Sequence, residues 1–305
     1  MTGETDWCAL WRELCEAQAR ARRADPRVDA VDPWRHRARE FAAGVARRWS
    51  APDSSRATVA AWLDAHPGSS VLDVGAGTGA WAAFLAGRAG RVTAVEPSAA
   101  MVELMREGLA AAGAANVDIV ARPWPDAAVG PHDVTLCAHA MYGAADFAAF
   151  VRGLERVTRR HVFLLMRAPE PDGVMAEAAR RVWGHPHDSP NFQVGYNALL
   201  QLGVFPDVVV EAGRWEPWRH ASLEEALAEV KRRLGLAAAS PHDAFLAELL
   251  ERRLARTDDG YVWPHGARAA QAHWDVERYR VRGGARRRSS NRGTPARCGA
   301  RARPP

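Results

Sequence analysis

Two stretches of the chain carry residue types whose spacing suits chemistry. In VLDVGAGTG, residues 71–79, an apolar run holding Asp73 leads directly into Gly75-x-Gly77-x-Gly79. Glycines admit a sharp turn and the close approach of a ligand to the backbone, and a helix starting there would offer unpaired amides and a partial positive charge. About 20 residues later a second apolar run ends in Glu96-Pro97, where a carboxylate can accept both hydrogen bonds of a ribose diol. Together they describe a site for a nucleotide-like molecule. The other stretch is DVTLCAHAMYG, residues 133–143, with Asp133 at its start and Cys137, Ala138, His139 and Tyr142 toward its end. His139 has the pKa range to take a proton from a hydroxyl or an amine, with Tyr142 to orient it; the alternative is a histidine bonded to loop backbone. Cys137, inside the apolar run, reads as core.

Positioning these residues calls for alternating strands and helices. Apolar runs at 71–74, 92–96, 117–121, 133–139, 161–166, 207–212 and 270–276 read as strands, with amphipathic helices at 80–86, 98–112 and 145–158 between the early ones. Such a pattern predicts an α/β fold: a Rossmann-like, mostly parallel seven-stranded sheet with helices on both faces. Ligands of such sheets sit at the carboxyl ends of the strands, where both stretches terminate. Three helices at 5–23, 33–49 and 54–66, punctuated by Asp25-Pro26 and Asp32-Pro33, predict an N-terminal helical cap over residues 1–66. The core that holds the nucleotide-like site would occupy 67–277. Helices at 171–182 and 191–202 form a helical insertion after the fifth strand, about 168–204, and helices at 223–234 and 241–253 precede the last strand, with a turn at Asp259-Gly260.

The glycine turn discriminates among cofactors. It lacks the Gly-Lys-Ser/Thr ending of a phosphate-binding Walker loop, and Lys231 is the chain's sole lysine. Dinucleotide sites want Gly-x-Gly-x-x-Gly, whereas here the third glycine follows one intervening residue and Asp73 sits where it can meet an amine rather than a pyrophosphate. The segment resembles the cofactor site of class I S-adenosylmethionine-dependent methyltransferases of the small-molecule type: their acid-x-Gly-x-Gly-x-Gly signature is complete as Asp73, Gly75, Gly77 and Gly79, and the acid closing their second strand stands as Glu96 in VTAVEPS. The resemblance spans roughly 68–170. It implies S-adenosyl-L-methionine as cofactor, with Asp73 and the Gly75–Ala76–Gly77 backbone at its methionine portion, Glu96 and Pro97 at the ribose, Met101 beside the adenine unless it is ordinary helix packing, and Pro123, Trp124 and Ala138 completing the site. Where the family often presents an acid to the adenine amino group, this chain reads Arg122-Pro123-Trp124; Trp124 either stacks on adenine or covers the sheet edge.

On the acceptor side the resemblance implies transfer of a methyl group to an O, N or C atom of a small molecule, by in-line positioning with His139 and Tyr142 as catalytic candidates. His36 and Arg37 on the cap, Arg167 after the fifth strand, and Tyr196 with Asn197 in the insertion are candidate substrate-binding residues. Tryptophans 183, 215, 218 and 263 are either lining of an aromatic pocket or core. His185-x-His187-Asp188 has no third ligand to accompany it, so no metal is expected. The Asn/Asp-Pro-Pro-Tyr tetrapeptide of amide methyltransferases is replaced by AHAMYG, which disfavours nucleic-acid bases and protein glutamine as acceptors. RNA or protein methylation, and a noncatalytic cofactor-binding or partner-binding protein on the same fold, stay as alternatives; a nicotinamide oxidoreductase is less favoured.

Charge adds little to function. The chain of 305 residues carries +5, yet ten of its 41 basic residues follow Glu277, leaving 31 against 36 acidic in the first 277. The body is mildly acidic, and the Arg, Gly, Ser and Pro composition of 278–305 reads as a disordered basic tail able to touch nucleic acid only nonspecifically. No apolar run reaches the roughly 18 residues of a membrane span, the N-terminus lacks a signal-peptide pattern, and the four cysteines show no zinc spacing; a cytoplasmic protein is expected.

Overall fold

A computed structural model of the chain describes residues 5–25, 28–29, 31–264 and 266–279; the tail reading falls outside these residues from 280 onward. Seven strands form one sheet: β1 (Ser70–Val74), β2 (Arg91–Val95), β3 (Val117–Val120), β4 (His132–Ala138), β5 (Thr158–Ala168), β6 (Asp207–Val210) and, last in the chain, β10 (Arg268–Asp275). Their order is β3-β2-β1-β4-β5-β10-β6; β1 to β5 pair in parallel and β10 runs antiparallel to both β5 and β6. The chain winds outward from β1 to β3 and then returns to β4, so the strand order reverses between β1 and β4. That reversal opens a crevice at the carboxyl ends of those two strands.

The sheet is buried on both sides, which explains why β1 and β4 read as near-continuous apolar runs. One face packs against α3 (Ser54–Asp64), α4 (Ala80–Ala86) and α5 (Ala99–Ala111) through Val59, Leu63, Leu85, Val102 and Met105. The opposite face packs against α1 (Trp7–Ala24), α6 (Phe147–Arg156) and, in the insertion after β5, α8 (Phe192–Gln201). Helix starts follow side-chain caps: Asp6, Asp53, Ser98, Asp146 and Asn191 each accept an amide proton of the first turn.

The cap is more than a cover. Trp11 is fully buried, packs tilted against Phe147 with ring centroids 4.4 Å apart and donates its indole proton to the Ala144 carbonyl at 2.9 Å. Helix α2 (Ala38–Trp49) starts five residues later than the sequence pattern suggests, because Asp32 accepts the Trp34 amide and turns residues 33–37 away from the helix axis. Helices α7 (Val174–Trp183), α9 (Leu223–Arg233) and α10 (Asp243–Arg253) build a satellite core around Trp263. With them goes a small antiparallel sheet of β7 (Arg219–His220), β8 (Ala255–Thr257) and β9 (Gly260–Val262), absent from the sequence reading beyond its Asp259-Gly260 turn. Among the described residues no helix is long and apolar enough to cross a membrane.

Candidate active site

The glycine turn occupies the crevice at the end of β1. Gly75, Gly77 and Gly79 all have positive φ, at 73°, 55° and 82°. Their roles differ. A Cβ on Gly75 would stand 2.1 Å from that of Ala140, and one on Gly79 would stand 2.5 Å from Cγ of Met105, so these two permit close packing against the β4 loop and α5; at Gly77 a Cβ would meet nothing within 4 Å. Gly77 is the turn's open side.

The turn's amides are mostly spent inside the protein. Gly75 and Ala76 both donate to the Val95 carbonyl, at 2.8 and 3.0 Å, Gly79 donates to Ala76, and Gly77 donates to Glu96 Oε2 at 2.9 Å. The sequence led us to expect unpaired amides there. Since a pyrophosphate site depends on such amides, the observed turn suits a ligand whose charge is not phosphate.

Asp73 supplies the complementary feature. Its side chain is 1% exposed at the end of β1, and its Oδ2 is buried without a hydrogen-bond partner. Burial, with the Glu96 charge nearby, pushes the carboxyl up to about 7. A buried acceptor with no donor is costly unless a ligand provides one, and an ammonium would provide both donor and countercharge. Glu96 is also buried; its Oε1 accepts the Ser98 amide at 2.9 Å, and burial raises its pKa against the lowering effect of these amide bonds. Each Glu96 oxygen keeps a lone pair for a diol hydroxyl. An unpaired carboxylate for an ammonium, an open glycine for close approach and a carboxylate for a ribose fit S-adenosyl-L-methionine group by group.

The other cofactor candidates divide. Ala76 and Ala138 are half-buried at the crevice, Pro97 and Pro123 are exposed, and Met101 is buried at the first turn of α5. Trp124 packs toward α6, its ring 3.6 Å from where a Cβ of Gly153 would lie, with its indole nitrogen buried and unpaired. Sequence reasoning missed Asp32, read only as punctuation: its carboxylate accepts Ser98 Oγ at 2.9 Å and the Ala100 amide at 3.2 Å, tying the cap to α5 beside Glu96.

At the end of β4, His139 takes the αL-type backbone with φ of 60°. Its Nδ1 lies 3.0 Å from the Tyr142 hydroxyl, which accepts the Arg167 amide proton at 2.6 Å. The structure thus joins three of the candidates, His139, Tyr142 and Arg167. The Arg167 guanidinium is committed to Asp188, at 3.1 Å, and to Ser189. Burial, then Arg48 and Arg167, lowers the His139 pKa to about 4, and burial raises that of Tyr142. Of the four tryptophans, Trp215 reaches this group, its ring 5.4 Å from that of His139, whereas Trp218 and Trp263 meet edge to face at 4.9 Å. Arg48 at the end of α2, unnoticed in the sequence, lies over Trp215 at 5.6 Å.

The remaining candidates stand elsewhere. His36 is exposed, 3.9 Å from Asp29, and Arg37 lies 6.0 Å from the Trp34 ring, both on the loop that Asp32 fastens. Tyr196 stacks on Phe192, and Asn197 bonds to the Gln193 carbonyl and lines a cavity of about 440 Å³ with Thr5, Asp6 and Trp7. His185 and His187 have their rings 5.8 Å apart, and no cluster of three or more metal-ligating side chains occurs among the described residues.

Comparison with known proteins agrees with the crevice. Residues 71–161 match the family model described as a methyltransferase domain. Over 94 residues the chain is 35% identical to malonyl-(acyl-carrier protein) O-methyltransferase of Serratia marcescens, covering 31% of this chain and 36% of that one, so it spans about a third of that curated relative's length. Among solved structures, YcgJ protein from Bacillus subtilis is similar with 18% identity and a TM-score of 0.49, covering 72% of this chain and 97% of that one. Magnesium protoporphyrin IX methyltransferase from Synechocystis PCC 6803 shows 18% identity and a TM-score of 0.43, with 69% and 95% covered. Residues 71–161 of the chain are thus similar to a methyltransferase domain.

Proposed function

We propose that the protein is an enzyme that transfers a methyl group from S-adenosyl-L-methionine to a small-molecule acceptor. The observation that carries this reading is the unpaired Asp73 oxygen at the strand-order reversal, beside a glycine turn whose Gly75, Ala76, Gly77 and Gly79 amides are satisfied internally. When bound, the cofactor supplies a methyl group on positively charged sulfur. Asp73 holds its ammonium, Glu96 its ribose hydroxyls, and the open side of Gly77 lets it lie against the backbone. His139, Tyr142 and Trp215 then form the acceptor wall at the adjoining strand end. Such an enzyme works chiefly by aligning the acceptor with the methyl group and excluding water.

In this reading residues 67–277 are the catalytic domain, 1–66 its cap, and the acceptor is an oxygen, nitrogen or carbon nucleophile. The relative from Serratia is named for an oxygen acceptor on a malonyl group, which favours oxygen. The free thiols of Cys8, Cys15 and Cys137 suit a reducing cytoplasm. The test is competitive binding: purified protein should bind S-adenosylhomocysteine and ignore NAD. Preference for NAD would replace this reading with a dinucleotide enzyme.

A further inference from the structure

Asp32 lies on the loop between α1 and α2, outside the sheet, yet its carboxylate reaches the segment that follows β2. One oxygen accepts both the Ser98 hydroxyl at 2.9 Å and the Ala100 amide at 3.2 Å, and the other accepts the Trp34 amide at 3.0 Å. Asp29 sets the loop for this, its side chain accepting the amides of Val31 and Asp32 at 2.8 and 2.9 Å. Burial opposes the charge on Asp32, but the Trp34 and Ala100 amides and the Ser98 hydroxyl outweigh it and hold the carboxyl below its ordinary value. Asp32 is therefore ionised and can only accept.

Ser98 stands between this carboxylate and Glu96. Its hydroxyl gives its proton to Asp32 and accepts the Met101 amide at 3.2 Å, capping α5. Its backbone amide donates to Glu96 Oε1 at 2.9 Å, while Gly77 donates to Oε2. Two amides thus orient the Glu96 carboxylate: one belongs to the glycine turn, the other to a residue whose hydroxyl is held from the cap. Both Ser98 and Glu96 are buried. Asp32 does not assist by charge, since its negative charge adds to burial in disfavouring ionised Glu96. What it supplies is placement, and a hydrogen bond weakens steeply once donor and acceptor are misaligned.

We propose that Asp32 is a positioning residue for the cofactor's ribose, acting from the cap through Ser98 to hold the Glu96 carboxylate in the orientation that a diol requires. The inference rests on the methyl-transfer reading and gives the cap a share in cofactor recognition. Loss of Asp32 frees the Ser98 hydroxyl and the Ala100 amide together, so the segment carrying the Oε1 donor shifts while the Gly77 donor stays. The effect falls on the ribose and spares the ammonium at Asp73.

The test compares S-adenosylhomocysteine with its 2′,3′-dideoxy analogue by calorimetry on the full chain. Wild type should prefer the diol at least about tenfold, and Asp32→Ala should cut that preference to about threefold or less. Asp32→Asn keeps a carbonyl oxygen for Ser98 and Ala100 but sets an NH2 group against the Trp34 amide. It should lower Tm and yet restore most of the preference. Ser98→Ala removes only the hydroxyl, should reproduce the loss, and carries the test if Asp32→Ala does not fold. Glu107→Ala severs a different contact between cap and α5, the pair of Arg39 with Glu107 at 3.5 Å, and should leave the preference within about twofold of wild type. A preference unmoved in Asp32→Ala and Ser98→Ala, an equal loss in Glu107→Ala, or equal weakening of both ligands would overturn the inference while leaving methyl transfer standing. Wild type that binds both ligands equally would remove the ribose role of Glu96 as well, and failure to bind S-adenosylhomocysteine at all would overturn the methyl-transfer reading too.

Discussion

Glu96 accepts the backbone proton of Gly77 at 2.9 Å, so the acid that ends β2 also fixes the glycine turn that ends β1. Its second oxygen does the same for Ser98 at the start of α5. One buried carboxylate therefore ties together two strand ends and a helix N-terminus, and the ribose site and the turn are a single unit rather than two adjacent motifs.

Replacing that acid should affect both halves of the unit. Glu96→Gln puts an NH2 group against one of two amide donors, leaving a buried donor without an acceptor at a cost of about 1–3 kcal/mol. Thermal unfolding should show a lower Tm, and S-adenosylhomocysteine should bind about 100-fold more weakly, because the turn and the diol contact fail together. An unchanged Tm would mean that Glu96 does not brace the turn.

Asp73 gives a pH signature. Its folded pKa of about 7 stands above the ordinary value of 3.8, so the folded state holds the proton more tightly than the unfolded chain. The stabilisation is fully present below the unfolded value and is lost as pH rises through about 7. Asp73→Asn, which has no charge to acquire, should melt higher than wild type at pH 8 with the gap closing toward about pH 4. Conversely, wild-type affinity for S-adenosylhomocysteine should strengthen from about pH 6 to 8 as the carboxylate ionises to meet the ammonium. Equal melting curves at both pH values would contradict the assignment.

The glycines should separate packing from ligand approach. Gly79→Ala drives a Cβ against Met105 at a positive φ and should be strongly destabilising. Gly77→Ala meets no atom within 4 Å, so its stability loss should be limited to about 1 kcal/mol of backbone strain. Calorimetry on the folded Gly77→Ala protein should nonetheless show weakened S-adenosylhomocysteine binding; unaltered affinity would place the ligand away from the turn.

The cap should prove inseparable from the core. Trp11→Ala leaves a cavity beside Phe147 and an unpaired Ala144 carbonyl, at a cost of about 3–5 kcal/mol in denaturant unfolding. A loss under about 1 kcal/mol would make the cap a detachable lid.

Local sequence carries much of this fold because β1, β2, β4 and β5 are buried on both faces and each writes its own apolar run. The glycine turn and Glu96 are legible for the same reason: their spacing follows from one strand, one helix and the next strand. His139 and Tyr142, three residues apart, are equally local. Arg48 and Trp215 are not. They come from α2, which packs on α5, and from the loop after β6, far from His139 in the chain; no periodicity marks either. Strands β7, β8 and β9 escaped notice because two or three half-exposed residues carry no alternation. The use of turn amides by Val95 and Glu96 depends on the register of β1 against β2, which residue types alone do not express.

The central claim is that the crevice holds S-adenosylmethionine through Asp73. Its most direct test is calorimetric titration of S-adenosylhomocysteine into wild-type and Asp73→Asn protein at pH 8. The account predicts saturable binding by wild type and affinity at least about 100-fold weaker in the variant, the loss of a buried charge-assisted contact. No binding by wild type, or equal binding by both proteins, would contradict it.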